Sequence, residues 1–158
     1  MNLTTHQQIE LIEKSSYILR MDCINAFNGG KEIVGSYELR QVLVKLIEFY
    51  GGEIINRDNQ WFIGNRHNLI IYLSPFTSSS YDNFYILFKL AKYLTDSKLQ
   101  EWQYNRFAAA FMIPRKELIR EVLLSKFIYG IKPCSYVLSA YFGCHIKTIE
   151  ERLRTLKL

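Results

Sequence analysis

Cysteine is scarce in this 158-residue chain. Cys23, Cys134 and Cys144 are an odd number at unrelated spacings, which excludes both a paired disulfide frame and a CxxC metal or redox motif. Cys144 and His145 are adjacent and with Cys134 could supply part of a metal site, but zinc requires three or four converging ligands. His6 and His67 lie elsewhere in the sequence, and nothing places them together. Long apolar runs are missing too: Leu69 to Leu73 and Phe107 to Ile113 fall far below the roughly 18 to 20 residues that span a bilayer. The first ten residues carry polar side chains where a secretory signal needs a positive end and an apolar stretch, which predicts a cytoplasmic protein without membrane association. A GxSxG elbow, a phosphate-binding glycine loop and a paired cysteine–histidine nucleophile motif are all absent.

What the chain has is apolar material. Hydrophobic residues make up 49% of it, enough for one core without crosslinks. The formal charge of +5 is uneven: up to Ser97 nine Lys or Arg face ten Asp or Glu, and from Lys98 onward eleven face five. A basic C-terminal part can attract nucleic acid or an acidic protein surface, or serve only as a solvated face.

Apolar spacing predicts a helix over residues 3–20, with Leu11, Ile12, Ile18 and Leu19 on one stripe and Thr4 or Thr5 as its cap. Ser36 can cap a second helix, in which Leu39, Val42, Leu43, Leu46, Ile47 and Tyr50 recur until Gly51-Gly52 stops it. Ile54-Ile55, Trp61-Phe62-Ile63 and Leu69 to Leu73 are short β-type runs between turn signals and predict a small antiparallel sheet. Asp82 is placed to cap a helix bearing Phe84, Leu87, Phe88, Ala91 and Leu94. Further helices are predicted from Leu99 to Met112, after Pro114 with Leu118, Val122 and Leu123 inward, and over 135–142 and 146–156 around Gly143.

Two segments carry a resemblance. Glu101, Asn105, Phe107, Ala108 and Pro114 stand in a pattern similar to the ExxANxFAxxxLMP helix of the ImmA/IrrE family of small metallopeptidases, with Tyr104 in place of an alanine. The closing run FGCHIKTIEERLRTLKL resembles that family's final segment at Arg152, Leu153 and Leu156. The resemblance implies one domain over 1–158: an N-terminal helix and loop (1–35), a degenerate peptidase core (36–114) and a C-terminal helical segment (115–158). It also implies an α+β fold, with the small antiparallel sheet packed on a mainly helical, zincin-like body that ends in a helical hairpin.

The family's HExxH helix falls on FYILFKLAKYL, Phe84 to Leu94. In that register Phe88 takes the first histidine, Lys89 the catalytic glutamate and Lys92 the second histidine, leaving Glu101 as the remaining family ligand. Histidines at i and i+4 present two nitrogens to one ion, which Phe88 cannot do and a charged Lys92 opposes. A charged Lys89 cannot take a proton from a metal-bound water. The expectation is therefore no catalytic residue, no metal, no cofactor and no enzyme activity. Lys92 and Glu101 could replace ion coordination by a charge-assisted pair, or Lys92 could point to solvent while Glu101 caps locally.

The resemblance implies a regulatory module that binds a protein partner, a repressor or other transcriptional regulator of a phage or mobile element. The alternative is nucleic-acid binding through the last two helices, with Lys147, Arg152, Arg154 and Lys157 as contacts. Glu150 and Glu151 in the same helix would face phosphate repulsion, which favours a packing hairpin instead.

Overall fold

The first helix starts where Thr4 can close it: its hydroxyl accepts the Gln7 N–H at 3.3 Å while the Gln7 side chain accepts the Thr4 N–H at 2.9 Å. The computed structural model describes residues 2–56 and 69–158. It carries this helix, α1, over Thr5–Phe27, past the expected end at residue 20, because no breaker occurs before Asn28-Gly29-Gly30. Its inward face also differs from the expected stripe. Ile12, Ser16, Arg20 and Ile24 recur every four residues and are buried, whereas Leu11 and Ile18 face solvent.

Helix α2 (Gly35–Phe49) buries Leu39, Val42, Leu43, Leu46 and Ile47, as its spacing predicts. Its cap is not Ser36. Val34 occupies that position, and the Glu38 carboxylate accepts the Val34 N–H at 2.6 Å. Ser36 lies inside the first turn, where its carbonyl accepts from Asn83 Nδ2 at 3.0 Å.

Strands β1 (Glu53–Asn56) and β2 (Ile70–Leu73) pair in parallel, Glu53 opposite Ile70 and Asn56 opposite Leu73. This corrects the antiparallel expectation. A parallel pair needs a connection of a dozen or more residues, and residues 57–69 supply one, so the two runs are not halves of one hairpin. The expected run Trp61-Phe62-Ile63 and His67 lie outside the described residues.

Helix α3 (Ser79–Leu94) is capped by Ser78, which accepts the Tyr81 N–H at 3.3 Å, rather than by Asp82. Asp82 sits one turn inside, held by Thr77 and by Arg40 of α2 at 3.5 Å. Helix α4 (Glu101–Met112) packs between α1 and α3, with Ala108, Phe111 and Met112 buried. Helix α5 (Arg115–Tyr129) follows Pro114 and contributes only Glu117, Leu118 and Val122 to the interior; Leu123, expected inward, is exposed. Helices α6 (Ser135–Phe142) and α7 (Ile146–Leu156) form the closing hairpin around Gly143.

That hairpin presses on the start of α2. A Cβ at Gly143, whose φ is +65°, would meet the Ser36 backbone nitrogen at 2.5 Å and the Gly35 carbonyl carbon at 2.6 Å, so only glycine allows the approach. One buried cluster, from Cys23 through Leu43, Leu73, Leu87 and Phe111 to Ile149, draws on α1 through α7 and β2, with Ile54 of β1 packed against it. The architecture is thus α+β, mainly helical, with one two-stranded parallel sheet among the described residues. No helix among those residues is long and apolar enough to cross a membrane.

Candidate functional site

The positions that resemble the family's HExxH helix are half-buried on α3, and Phe88 and Lys92 among them meet α4. Phe88 and Tyr104 meet edge to face, ring centroids 5.5 Å apart. The Lys92 ammonium lies 5.7 Å from the Phe88 ring and 5.9 Å from the Tyr104 ring, a cation held on two π faces. Tyr104 is fixed in turn: its hydroxyl accepts the Leu99 N–H at 2.8 Å, which clamps the turn between α3 and α4. Lys89 sits over Tyr85 at 5.2 Å.

Glu101 opens α4 and is exposed, its carboxylate near the positive end of the helix. Among the described residues no ion pair joins it to Lys92. Of the two arrangements the sequence left open, the Lys92–Glu101 pair is not formed: Lys92 is gathered instead by the Phe88 and Tyr104 rings. Among the described residues, no group of three His, Cys, Asp or Glu gathers at a common point. Cys144 is buried and Cys134 exposed, and burial pushes the Cys144 thiol up to about 12, so it stays protonated at neutral pH.

The four basic candidates of the last helix do not form one surface. Arg152 is 2% exposed and points inward, donating from both Nη atoms to the Glu13 carboxylate at 2.5 and 2.6 Å and from Nε to the Ile113 carbonyl at 3.0 Å. It is a structural ion, not a phosphate contact. Burial alone would raise Glu13, but hydrogen bonds and charge from Arg152, and then Arg106, outweigh it and hold that carboxyl below its ordinary value. Arg154 is exposed and neutralised by Glu151 at 2.5 Å. Lys147 and Lys157 are exposed at opposite ends of α7.

Two features escaped the pattern reading. One is the outer face of α5, where Leu123, Leu124, Phe127 and Ile128 share one side of the helix and are all exposed, Phe127 at 89%. Exposed Ile131, Tyr136 and Val137 continue the apolar character toward and into α6. A sequence signal marks it: between Glu121 and Glu150 there is no carboxylate, while Lys126, Lys132 and Lys147 fall within that stretch. The other is a cleft of about 430 Å³ between α3, α4 and α7, lined on one side by Phe84 and Trp102 and on the other by Lys147 and Thr148.

No family model matches the chain, and no curated protein matches it. Among solved structures, a Mycobacterium tuberculosis transcriptional regulator is similar to it in fold, with a TM-score of 0.61 at 18% sequence identity. The similarity covers 92% of this chain and 51% of that protein, so the chain spans about half the length of that neighbour.

Proposed function

We propose that the chain is a regulatory module that binds a protein partner and has no peptidase activity, a degenerate relative of the ImmA/IrrE peptidases. The partner is a transcriptional regulator of a phage or mobile element, and it presents an apolar surface edged with carboxylates. The observation that carries this reading is the outer face of α5: contiguous exposed apolar side chains on a helix mark interaction surfaces, and monomers rarely leave such patches free. The carboxylate-free stretch around it, with Lys126 and Lys132, selects an acidic partner. The fold shared with a transcriptional regulator supports the regulatory part of the reading. Phe88 and Lys92, which stand where the resemblance puts the family's histidines and pack with Tyr104, support the loss of metal chemistry.

A photo-crosslinking residue at Phe127 is expected to trap one protein in the source cell. Leu124→Asp or the paired change Lys126→Glu and Lys132→Glu should abolish that product while leaving the thermal midpoint unchanged. A product that survives both changes, or recovery of nucleic acid instead of protein, overturns the assignment. Material purified without chelator should contain far less than one zinc per chain by elemental analysis; stoichiometric zinc would contradict the inactive-enzyme reading.

A further inference from the structure

The cleft between α3, α4 and α7 has the chemistry of a small-molecule site. Its volume of about 430 Å³ falls within the range of pockets that enclose compact ligands. Two aromatic rings, Phe84 from α3 and Trp102 from α4, supply apolar walls, and Ala109 leaves the space open where a larger side chain would close it. The Trp102 ring is pinned, since its Nε1 donates to the Gln100 side chain at 2.7 Å. A flat apolar group fits between such surfaces.

The polar groups in the cleft favour an anion. Arg106 commits its Nε to Glu13 at 2.9 Å, and among the described residues no hydrogen bond occupies its two Nη groups. The Lys147 ammonium and the Asn105 amide are likewise exposed, without a partner among the described residues. Glu151 is the one carboxylate in the lining, and Arg154 neutralises it. Counting Arg106, Lys147, Arg152 and Arg154 against Glu13 and Glu151, four cations face two anions, a local charge of +2. Lys147 and Thr148 also stand in the first turn of α7, where the helix dipole adds to the positive field.

We infer that this cleft binds a small flat aromatic anion, its ring between Phe84 and Trp102 and its carboxylate or phosphate toward Lys147 and the free Arg106 donors. The ligand would join α7 to α3 and α4, so binding should raise the thermal midpoint, and the rise should continue with the logarithm of ligand concentration above the dissociation constant. The inference is independent of the partner assigned to α5, whose exposed face lies on other residues.

The test uses 2-naphthoate and 2-naphthyl phosphate as probes, with neutral 2-naphthamide as control, by calorimetry and by Trp102 fluorescence in a Trp61→Phe background. The anions should bind with a dissociation constant below about 1 mM and the amide much more weakly. Lys147→Gln, at an exposed position, should weaken binding about tenfold or more, the effect of losing one charge-assisted bond. Ala109→Leu should fill the cleft and abolish binding, and its unchanged thermal midpoint would show that the fold persists. Absence of binding by both anions, equal binding of the amide, or undiminished affinity in Lys147→Gln and Ala109→Leu would each overturn the inference.

Discussion

Replacing Arg152 by alanine is expected to lower the free energy of unfolding by about 3 to 5 kcal/mol, because the change removes two charge-assisted hydrogen bonds from a largely buried carboxylate and leaves it Arg106 alone. Glu13 sits between Arg106 of α4 and Arg152 of α7, so one carboxylate joins the first, fourth and seventh helices. Without Arg152 the Ile113 carbonyl also loses its donor. Arg152→Lys should fall between, since an ammonium keeps the charge but cannot span both oxygens. The paired change Glu13→Leu and Arg152→Met should cost far less than Arg152→Ala alone.

Linkage adds a pH signature. The folded carboxyl of Glu13 lies below its ordinary 4.5, so its contribution is fully present above that value and is lost as the pH falls through the lower folded one. Urea titrations between neutral and acid pH should show this acid loss in the wild type and a smaller one in Arg152→Ala. An Arg152→Ala variant that unfolds at the wild-type denaturant midpoint would return Arg152 to the surface role first expected of it.

The second large effect is expected at Arg20, which is 1% exposed. Its Nη1 donates to the Phe111 carbonyl at 2.9 Å, and its Nη2 reaches the Ile33 carbonyl and Glu117 at 3.4 Å each, while Nε is buried without a partner. Distance makes Arg20 and Glu117 an ion pair, yet burial lowers the arginine and raises the glutamate, the direction in which each charge is disfavoured. The burial effect is the better guide to the net value of the pair, because the single contact is long and one nitrogen is unsatisfied.

Arg20→Ala should therefore cost about 3 to 5 kcal/mol, through two orphaned carbonyls and an unpaired buried carboxylate. Glu117→Gln should cost much less. Because the folded Glu117 carboxyl lies above 4.5, its contribution favours folding below that value and diminishes as the pH rises through the folded one. Its slope thus opposes that of Glu13, and Glu117→Gln should steepen the acid loss attributed to Glu13. Equal denaturation midpoints for Arg20→Ala and wild type would refute the account.

These two arginines also explain which parts of the structure could be read from the sequence. Helix α2 was legible because its inward positions are all aliphatic and its end is a glycine pair. The inward face of α1 was not, because Ser16 and Arg20 occupy it: a hydroxyl bonded to the Ile12 carbonyl and a guanidinium bonded to distant carbonyls both count as solvent-facing in a pattern of hydrophobicity. Alternation along Ile70–Leu73 indicates which side chains are buried but not the direction of the neighbouring strand, so the parallel pairing was hidden. At the α3–α4 site the lysines were legible as replacements, but not the destination of Lys92, which depends on Tyr104 from the next helix. Of the apolar face of α5 only Leu123 was placed, and inward; Leu118 and Val122 lie on the opposite side of the helix, and apolar residues on both sides leave open which one meets the body.

The dependence of α1 on α4 has a consequence for biosynthesis. Ser16 and Arg20 find their carbonyl partners 91 residues later, at Phe107 and Phe111, and Glu13 finds Arg152 only 139 residues later. At roughly 5 to 20 residues per second, the first helix waits about 5 to 18 s after synthesis before α4 has been made. During that interval a ribosome-bound chain displays Ile12, Cys23 and Ile24 as an unanchored amphipathic helix. Chaperones that recognise nascent apolar segments should engage this chain early and release it only when α7, which carries Arg152, has left the exit tunnel.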